Sequence, residues 1–483
     1  MVWLTVHPFV DLPFHLAAAT IRRFYDAPHT AFRDYFIVER LFPEPNVLHL
    51  LITSSRIFPS VDAANHVVLA AYVAAIPLLV RAIIRRVGGN VWFALLAFLF
   101  LYNYNLMWGF AGFFLSIPLV LAFVYFLLTF TERPTPARTT AMAAALLVLF
   151  MCHALAVLFA LSIVTLTILV MRDPTRTRRA VLAMLPALGI VAWWWVTSPR
   201  ESRSDTSGFL LQYYQTEYLQ TFLAARKRLL THDHAHVAAG FRGVAFGLAI
   251  SAAIVGLLLM KWRDWRATLT ALWRTPSGRV PLIFATSAAL CCLLLPDRLP
   301  EETALFERFS VYLWLSLIVL GSVLWRHARG LWPAVAIGLI VLAGQAVRLE
   351  YFWAFSRTVE GFTPAFFPEA TRGERLFGLI YQPKFRDHPI FAHYPDYYIT
   401  WRHGIATTEI AQFRFGTVRT RPDGRTLPMY DTSPNANSYS TEHLDFDYLL
   451  VRGSLPATLP MTDFRETRHA ADWRIFERRP PSP

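Results

Sequence analysis

The sequence predicts a mainly α fold: a polytopic helical membrane domain of about ten or eleven spans, followed by an exterior C-terminal domain of α/β or α+β type. Three observations predict it. The 483-residue chain is 55% hydrophobic with a mean hydropathy of +0.38, and a chain this long rarely averages so apolar unless long runs cross a bilayer. The net charge is +13, but the basic residues fall in short segments between apolar runs, where they read as topology signals rather than nucleic-acid contacts. From about residue 350 the chain turns polar and gains Pro-rich turns and strand-like runs such as Asp447-Tyr448-Leu449-Leu450-Val451.

Taken in order, the expected spans are approximately 64–84, 91–107, 109–130, 139–153, 154–171, 179–197, 241–260, 280–295, 309–325 and 331–349. Several fall short of the roughly 20 residues a bilayer asks for. The run 139–171 fits one long tilted helix or two short ones, and charge decides between them. The loops at Arg85-Arg86, Arg133–Arg138, Arg172–Arg179, Lys261–Arg279 and Arg326–Arg329 are all basic, so the positive-inside rule places all five in the cytoplasm. They share one side only if 139–171 crosses twice, with its turn near Cys152-His153 at the outer face. This gives a transmembrane domain over 1–349, with exterior loops 11–60, 198–240 and 296–308, and an exterior soluble domain over 350–483. The few residues before Asp11 cannot span, so the expectation is a first helix upstream or a short anchor. Arg479 to Pro483 read as a frayed end. Cys152, Cys291 and Cys292 lie in apolar runs, so no disulfide framework or zinc-type spacing is present. With no Asn-x-Ser/Thr sequon, the expected location is a bacterial cytoplasmic membrane.

The candidate chemistry starts at Asp11-Leu12-Pro13-Phe14-His15, where a first hydrophobic stretch breaks off. Pro13 suits the first turn of a helix, which sets Asp11 and His15 one turn apart. Phe14 to Tyr25 would then lie along the membrane surface. Two readings stand together. In one, Asp11 caps the helix and His15 is a surface residue. In the other, Asp11 is a general base for an acceptor hydroxyl, and His15 orients it or contacts a phosphate. The same segment adds Asp26, Asp34, Tyr35, Glu39, Arg40 and Pro45-Asn46, each ordinary in a solvated loop. Together they supply the acids and aromatics that bind sugars.

His153 is the one clear ionisable side chain inside 139–171. Such groups are costly in a membrane and usually face a cavity, so a site role and a packing role are both open. Tyr102 to Phe114 joins two spans with almost no loop; Gly109 and Gly112 allow close approach, and Tyr102, Tyr104 and Trp108 are expected in an interfacial aromatic belt. In His232-Asp233-His234-Ala235-His236, three His and an acid crowd five residues. A solvated loop is the preferred reading, a metal site the alternative. Arg308, near Arg298, Glu301, Glu302 and Glu307, either binds a lipid phosphate or pairs with Glu307 or Glu301. His393-Tyr394-Pro395-Asp396-Tyr397-Tyr398 suits sugar stacking, with His393 and Tyr397 as contacts, or the edge of a strand with packed aromatics.

These stretches carry a family resemblance. Asp11-Leu12-Pro13-Phe14-His15, Pro45-Asn46, Trp108-Gly109-Phe110, His153, Arg308 before a late span, and Phe446-Asp447-Tyr448-Leu449-Leu450-Val451-Arg452 together resemble the GT-C superfamily of polytopic glycosyltransferases. The likeness is nearer to its bacterial members than to the protein O-mannosyltransferases. It covers most of the chain in layout, and the order and sidedness of the motifs weigh more than any one of them. It implies an essential acid in the first exterior loop, matched by Asp11, and a polyprenyl-phosphate sugar as donor. The chain departs from the better-known pattern in having a single Asp rather than an Asp-Glu pair, and in lacking most of the first helix.

The leading expectation is thus an enzyme, a hexosyl- or pentosyltransferase, moving one sugar from a polyprenyl-phosphate carrier to a glycan, lipid or protein acceptor on the exterior side. Asp11 would deprotonate the acceptor, Arg308 and His153 would hold the donor phosphate, and the tail would cover the site. No cofactor is required by this reading, and a divalent metal is left open. A non-catalytic protein that binds lipid-linked glycans for assembly is the alternative. A transporter or flippase fits less well, since the spans carry almost no acid away from their ends.

Overall fold

The computed structural model describes residues 4–39, 44–197, 212–299, 302–328, 330–371, 373–406, 408, 417–421, 446–455 and 461–479. The chain opens with α1 (Leu12–Phe24), α2 (Phe32–Tyr35), strand β1 (Phe36–Val38) and α3 (Leu48–Thr53). Then come α4 (Val61–Arg86), a 3-10 stretch Val91–Phe100 leading into α5 (Tyr104–Trp108), α6 (Ala111–Glu132), α7 (Pro136–Cys152), α8 (Ala154–Met171) and α9 (Pro174–Thr197). The segment after α9 holds α10 (Tyr218–Arg226) and α11 (His232–Ala235). It is followed by α12 (Gly240–Leu259), α13 (Trp265–Arg274), α14 (Pro276–Leu294), strands β2 (Arg298–Leu299) and β3 (Glu302–Thr303), α15 (Ser310–Leu324) and α16 (Trp332–Thr358).

Nine helical stretches among the described residues are long and apolar enough to cross a membrane, and Pro136–Cys152 is a shorter apolar helix. They coincide with the expected spans, and the protein is a multi-pass membrane protein. Local chemistry starts several of them. Ser60 Oγ accepts the Ala63 amide at the head of α4, and Thr135 and Thr275 play the same part before Pro136 and Pro276. The run 139–171 is two helices. His153, in extended backbone at φ −166° and ψ 136°, ends α7 and starts α8. The last span, α16, runs on to Thr358, past the expected boundary at 349.

The basic loops gather at one end of the bundle. Arg86 pairs with Glu132, Arg279 Nη1 donates to the Val170 carbonyl at 3.4 Å, Asn90 Nδ2 donates to the Trp325 carbonyl at 3.5 Å, and Lys261 Nζ lies 5.6 Å from the Trp325 ring centre. The turns at 103–112 and 152–154 lie at the other end. Tyr102 does not join an aromatic belt there. It is 1% exposed, with its hydroxyl 2.8 Å from the Pro8 carbonyl and 3.1 Å from the Tyr351 hydroxyl. The polar tip that would suit a membrane interface is satisfied inside the protein instead.

The C-terminal region adds β4 (Arg375–Ile380), α17 (Asp396–Arg402), β5 (Ile405–Ala406), β6 (Val418–Thr420), β7 (Tyr448–Arg452), β8 (Phe464–Ala470) and β9 (Trp473–Arg478). The expected strand around Tyr448 is the centre of a five-stranded sheet ordered β5-β4-β7-β9-β8. Pairing is parallel from β5 through β7 and antiparallel from β7 through β8. His393 to Pro395 form a turn leading into α17, whose start holds Asp396 to Tyr398, so the stretch is not a strand edge, and Tyr394, Tyr397 and Tyr398 are all buried. Tyr394 stacks on Trp473 with centroids 5.2 Å apart, and Tyr397 on Trp401 at 4.4 Å. This core docks on the helical domain. β6 pairs with β1, Phe36 opposite Thr420, Trp401 Nε1 donates to Asp62 at 2.9 Å, and the Gly240 amide donates to Asp387 at 2.8 Å.

Candidate functional site

Asp11 is positioned by backbone. Its amide donates to the Trp108 carbonyl at 2.9 Å, and the Val10 amide to the Met107 carbonyl at 3.0 Å. Gly109 makes this close approach feasible. It has φ +76°, and a Cβ there would stand 2.7 Å from the Leu12 nitrogen and 2.8 Å from the Asp11 nitrogen. Asp11 sits at the N-cap position of α1, but its side chain makes no capping hydrogen bond. The carboxylate is 19% exposed and meets His393 Nε2 at 3.5 Å. Of the two readings of Asp11, side-chain capping is the one the geometry excludes. His393 arrives from the turn before α17, so the C-terminal region closes over the acid.

Gly112 brings the next pieces in. A Cβ there would stand 2.3 Å from the Cys152 carbonyl oxygen and 2.7 Å from Asn46 Oδ1. Asn46 has φ +63°, a left-handed conformation that Asn tolerates better than most residues, and the next amide, Val47, donates to the Met151 carbonyl at 2.9 Å. Arg308, 5% exposed, lies with its guanidinium carbon 4.2 Å from the Phe110 ring centre and Nη1 3.1 Å from His153 Nε2. Its carbonyl accepts from Asn105 Nδ2 at 3.1 Å. Glu307 pairs instead with Arg228 at 3.3 Å. Glu301 and Arg40 lie outside the described residues, as do the side chains of Arg298 and Glu302.

His153 faces two donors. Its Nδ1 accepts the Leu155 amide at 3.1 Å, capping α8. On the other side of the ring, Nε2 meets the Arg308 guanidinium at 3.1 Å.

Three imidazoles line the acid's surroundings. Phe14 stacks edge-on to His393 at 4.8 Å and contacts His15 at 4.5 Å, and His15 lies 6.0 Å from His49. His49, 2% exposed, meets Asn65 Oδ1 at 3.4 Å. Sequence reasoning does not find His49 or Asn65; the one signal is a His one turn beyond Asn46. Burial, then His49 and His393, hold His15 well below the ordinary imidazole range. Burial lowers His49 to about 4, against the pull of Asn65. Both rings are neutral in the folded protein at pH 7, whereas in the unfolded chain each takes a proton near about 6.5. Below that pH the unfolded state binds more protons, so stability that is complete above about 6.5 is lost as the pH falls toward about 4. Thermal unfolding in detergent should show Tm falling steeply through this window, and His49→Gln should make the fall shallower. A flat wild-type profile would show that these rings are not held neutral.

The other sequence candidates lie elsewhere. Asp34 is exposed on α2. Tyr35 is 2% exposed, against Phe36, and Tyr397 belongs to the aromatic core. The stretch from His232 to His236 is neither a solvated loop nor arranged for a metal. His232, Asp233, His234 and His236 are all buried. Asp233 accepts from the Tyr104 amide at 3.1 Å and from Ser310 Oγ at 2.6 Å, and His234 Nδ1 lies 2.9 Å from Arg348. This buried network pins the segment holding α11 to the turn at 103–105 and to α15 and α16. Among the described residues no group of three or more His, Cys, Asp or Glu is placed to hold a metal ion.

No protein-family model matches the sequence, and no curated protein matches it. Among solved structures, the chain is similar to ArnT from Cupriavidus metallidurans in the apo state. The TM-score is 0.52 at 13% identity, covering 98% of this chain and 94% of that one. ArnT is a GT-C polytopic glycosyltransferase. The likeness therefore extends over both the helical bundle and the C-terminal sheet, and the chain shares the fold of that ArnT.

Proposed function

We propose that the protein is a membrane glycosyltransferase that moves one sugar from a polyprenyl-phosphate donor to an acceptor hydroxyl. The reaction takes place at the Asp11 end of the bundle, on the exterior side of a bacterial cytoplasmic membrane. The gathering of basic loops at the opposite end supports that sidedness. Asp11 takes the acceptor proton as the acceptor oxygen bonds to the anomeric carbon. The bond from that carbon to the phosphate oxygen breaks with inversion, and polyprenyl phosphate leaves with an added negative charge. Arg308 and His153 stabilise that charge. His393 sits against Asp11 and orders it, while His15 and His49 shape the wall beneath.

The observation that carries this reading is the meeting of the buried Arg308 guanidinium with His153 Nε2 at 3.1 Å, with Arg308 packed on Phe110 beside the turn that holds Asp11. A buried guanidinium beside an imidazole suits a phosphate, which takes charge-assisted hydrogen bonds from both kinds of group. The test is transfer of label from a panel of radiolabelled polyprenyl-phosphate sugars to a crude envelope-glycan extract, using the full chain in membranes. Wild type should transfer label. Arg308→Lys, which keeps the charge but loses the planar stack on Phe110 and the fork of donors, should lower transfer by about 10²-fold or more. Unchanged transfer by Arg308→Lys would remove Arg308 from the donor site, and no transfer from any donor would favour a binding and assembly role.

A further inference from the structure

α1 acts as a ruler along the Asp11 end of the bundle. Arg22 and Arg23 lie eleven and twelve positions beyond Asp11, about 17 Å away at the helical rise. A cavity of about 520 Å³ opens there, lined in part by Arg22, Arg23, Asp26, Leu51, Ser55 and Arg56. Its charge is not compensated from within. Asp26 is taken by Arg33, whose Nε donates to it at 2.9 Å, and among the described residues no carboxylate pairs with Arg22, Arg23 or Arg56. Arg23 donates to the carbonyls of Ser55, Phe58 and Pro59 at 3.1, 2.8 and 3.2 Å. These bonds aim the guanidinium and leave its charge. Among the described residues Arg22 donates to the Glu39 carbonyl, at 3.4 Å, and burial lowers its pKa, as for a cation partly stripped of water.

The apolar side of the cavity is equally specific. Leu51 is 42% exposed and Ile57, beside Arg56, is 88% exposed. Four residues later α4 begins, a span whose Val67 is 51% exposed. The cavity thus lies just before a candidate span in the chain, with its cations next to exposed aliphatic side chains, the combination that suits a membrane interface. The topology signal does not account for these three arginines, because the basic loops that set orientation lie at the opposite end.

We propose that this cavity is a binding site for the phosphate headgroup of an anionic membrane lipid, separate from the site at Asp11. The lipid's phosphate would sit among Arg22, Arg23 and Arg56, and its acyl chains would run over Leu51 and Ile57. The recognised chemistry is a phosphate, which a soluble phosphate compound also carries, so the test separates the two sources.

The full-length protein in nanodiscs of phosphatidylcholine doped with phosphatidylglycerol is released into neutral detergent, and the retained lipid is counted by native mass spectrometry. Wild type should keep phosphatidylglycerol over phosphatidylcholine. Arg22→Gln combined with Arg56→Gln should weaken that preference about 30-fold, and Arg56→Gln alone about 5-fold, from the usual contribution of each arginine near an anionic surface. Arg56 is exposed, so its single variant keeps the test readable should the double variant fold poorly, and Arg23 is left intact because it holds residues 55–59. Arg263→Gln with Arg266→Gln removes two exposed charges at the opposite end and should retain the lipid as wild type does. Equal retention by the Arg22 and Arg56 variants, or an equal loss in the Arg263 and Arg266 control, overturns the site. Full displacement by millimolar glycerol phosphate overturns the lipid as its source.

Discussion

Asp11→Asn is expected to lower sugar transfer by about 10²–10⁴-fold, the range in which a positioned general base acts, while thermal unfolding stays nearly unchanged. Both halves follow from the same geometry. An Asp at the head of a helix ordinarily accepts an amide of the first turn, and its loss then costs about 1 kcal/mol. Asp11 makes no such bond, so the amide of Asn has no cap to lose, and the change in helix-end electrostatics is within about 1 kcal/mol. The carboxylate is held instead against His393 at 3.5 Å and keeps partial access to solvent, as a base needs if it is to stay ionised and reach a hydroxyl. Transfer assays and a Tm on the same preparation check this. Transfer that persists in a folded Asp11→Asn protein would discard Asp11 as the base. A large fall in Tm with the loss of transfer would assign it a structural role.

The layout of the fold is legible in the sequence because hydropathy and charge act over whole segments. Ten apolar runs, five basic loops and the double crossing of 139–171 need no tertiary information. Parts of the candidate site are legible for a related reason: Asp11, Asn46, His153 and Arg308 each stand at the end of a run, and the ends at one face must meet. What brings them into contact is not legible. The meeting of Gly109 with Asp11 and of Gly112 with Asn46 and Cys152 depends on how three separate turns nest, and Gly at those positions reads equally well as helix packing. The stretch from His232 to His236 shows the limit from the other side. Its polarity suggests solvent, yet partners more than 70 residues away, Ser310 and Arg348, bury it. Tyr102 is similar, since only the positions of Pro8 and Tyr351 decide that its hydroxyl points inward.

Gly109→Ala should be the most disruptive single methyl group in the candidate site. Two independent costs coincide there. The backbone is left-handed at φ +76°, which costs an L-residue with a side chain roughly 1–2 kcal/mol. The added Cβ would also stand 2.7 Å from the Leu12 nitrogen and 2.8 Å from the Asp11 nitrogen. Both obstacles are main chain, which cannot swing aside as a flexible side chain can, and overpacking of this kind costs about 1–3 kcal/mol more. The sum, about 2–5 kcal/mol, should appear as a clear fall in Tm. The relief open to the protein is to push α1 away from the turn at 108–110. That breaks the bond from the Asp11 amide to the Trp108 carbonyl at 2.9 Å and moves the proposed base itself, where a shift of about 1 Å can cost 10²-fold in rate. Gly256→Ala is the matched control. Gly256 lies within α12, and no neighbouring atom comes within 4 Å of where an alanine methyl would stand. Ala there should leave transfer unchanged and hold or raise Tm by helix propensity alone. Asp11 and the glycine packed against it then separate cleanly by readout, with Asp11→Asn costing rate alone and Gly109→Ala costing rate and stability together. Wild-type transfer from Gly109→Ala would mean that the contact between this turn and α1 does not set the position of the base.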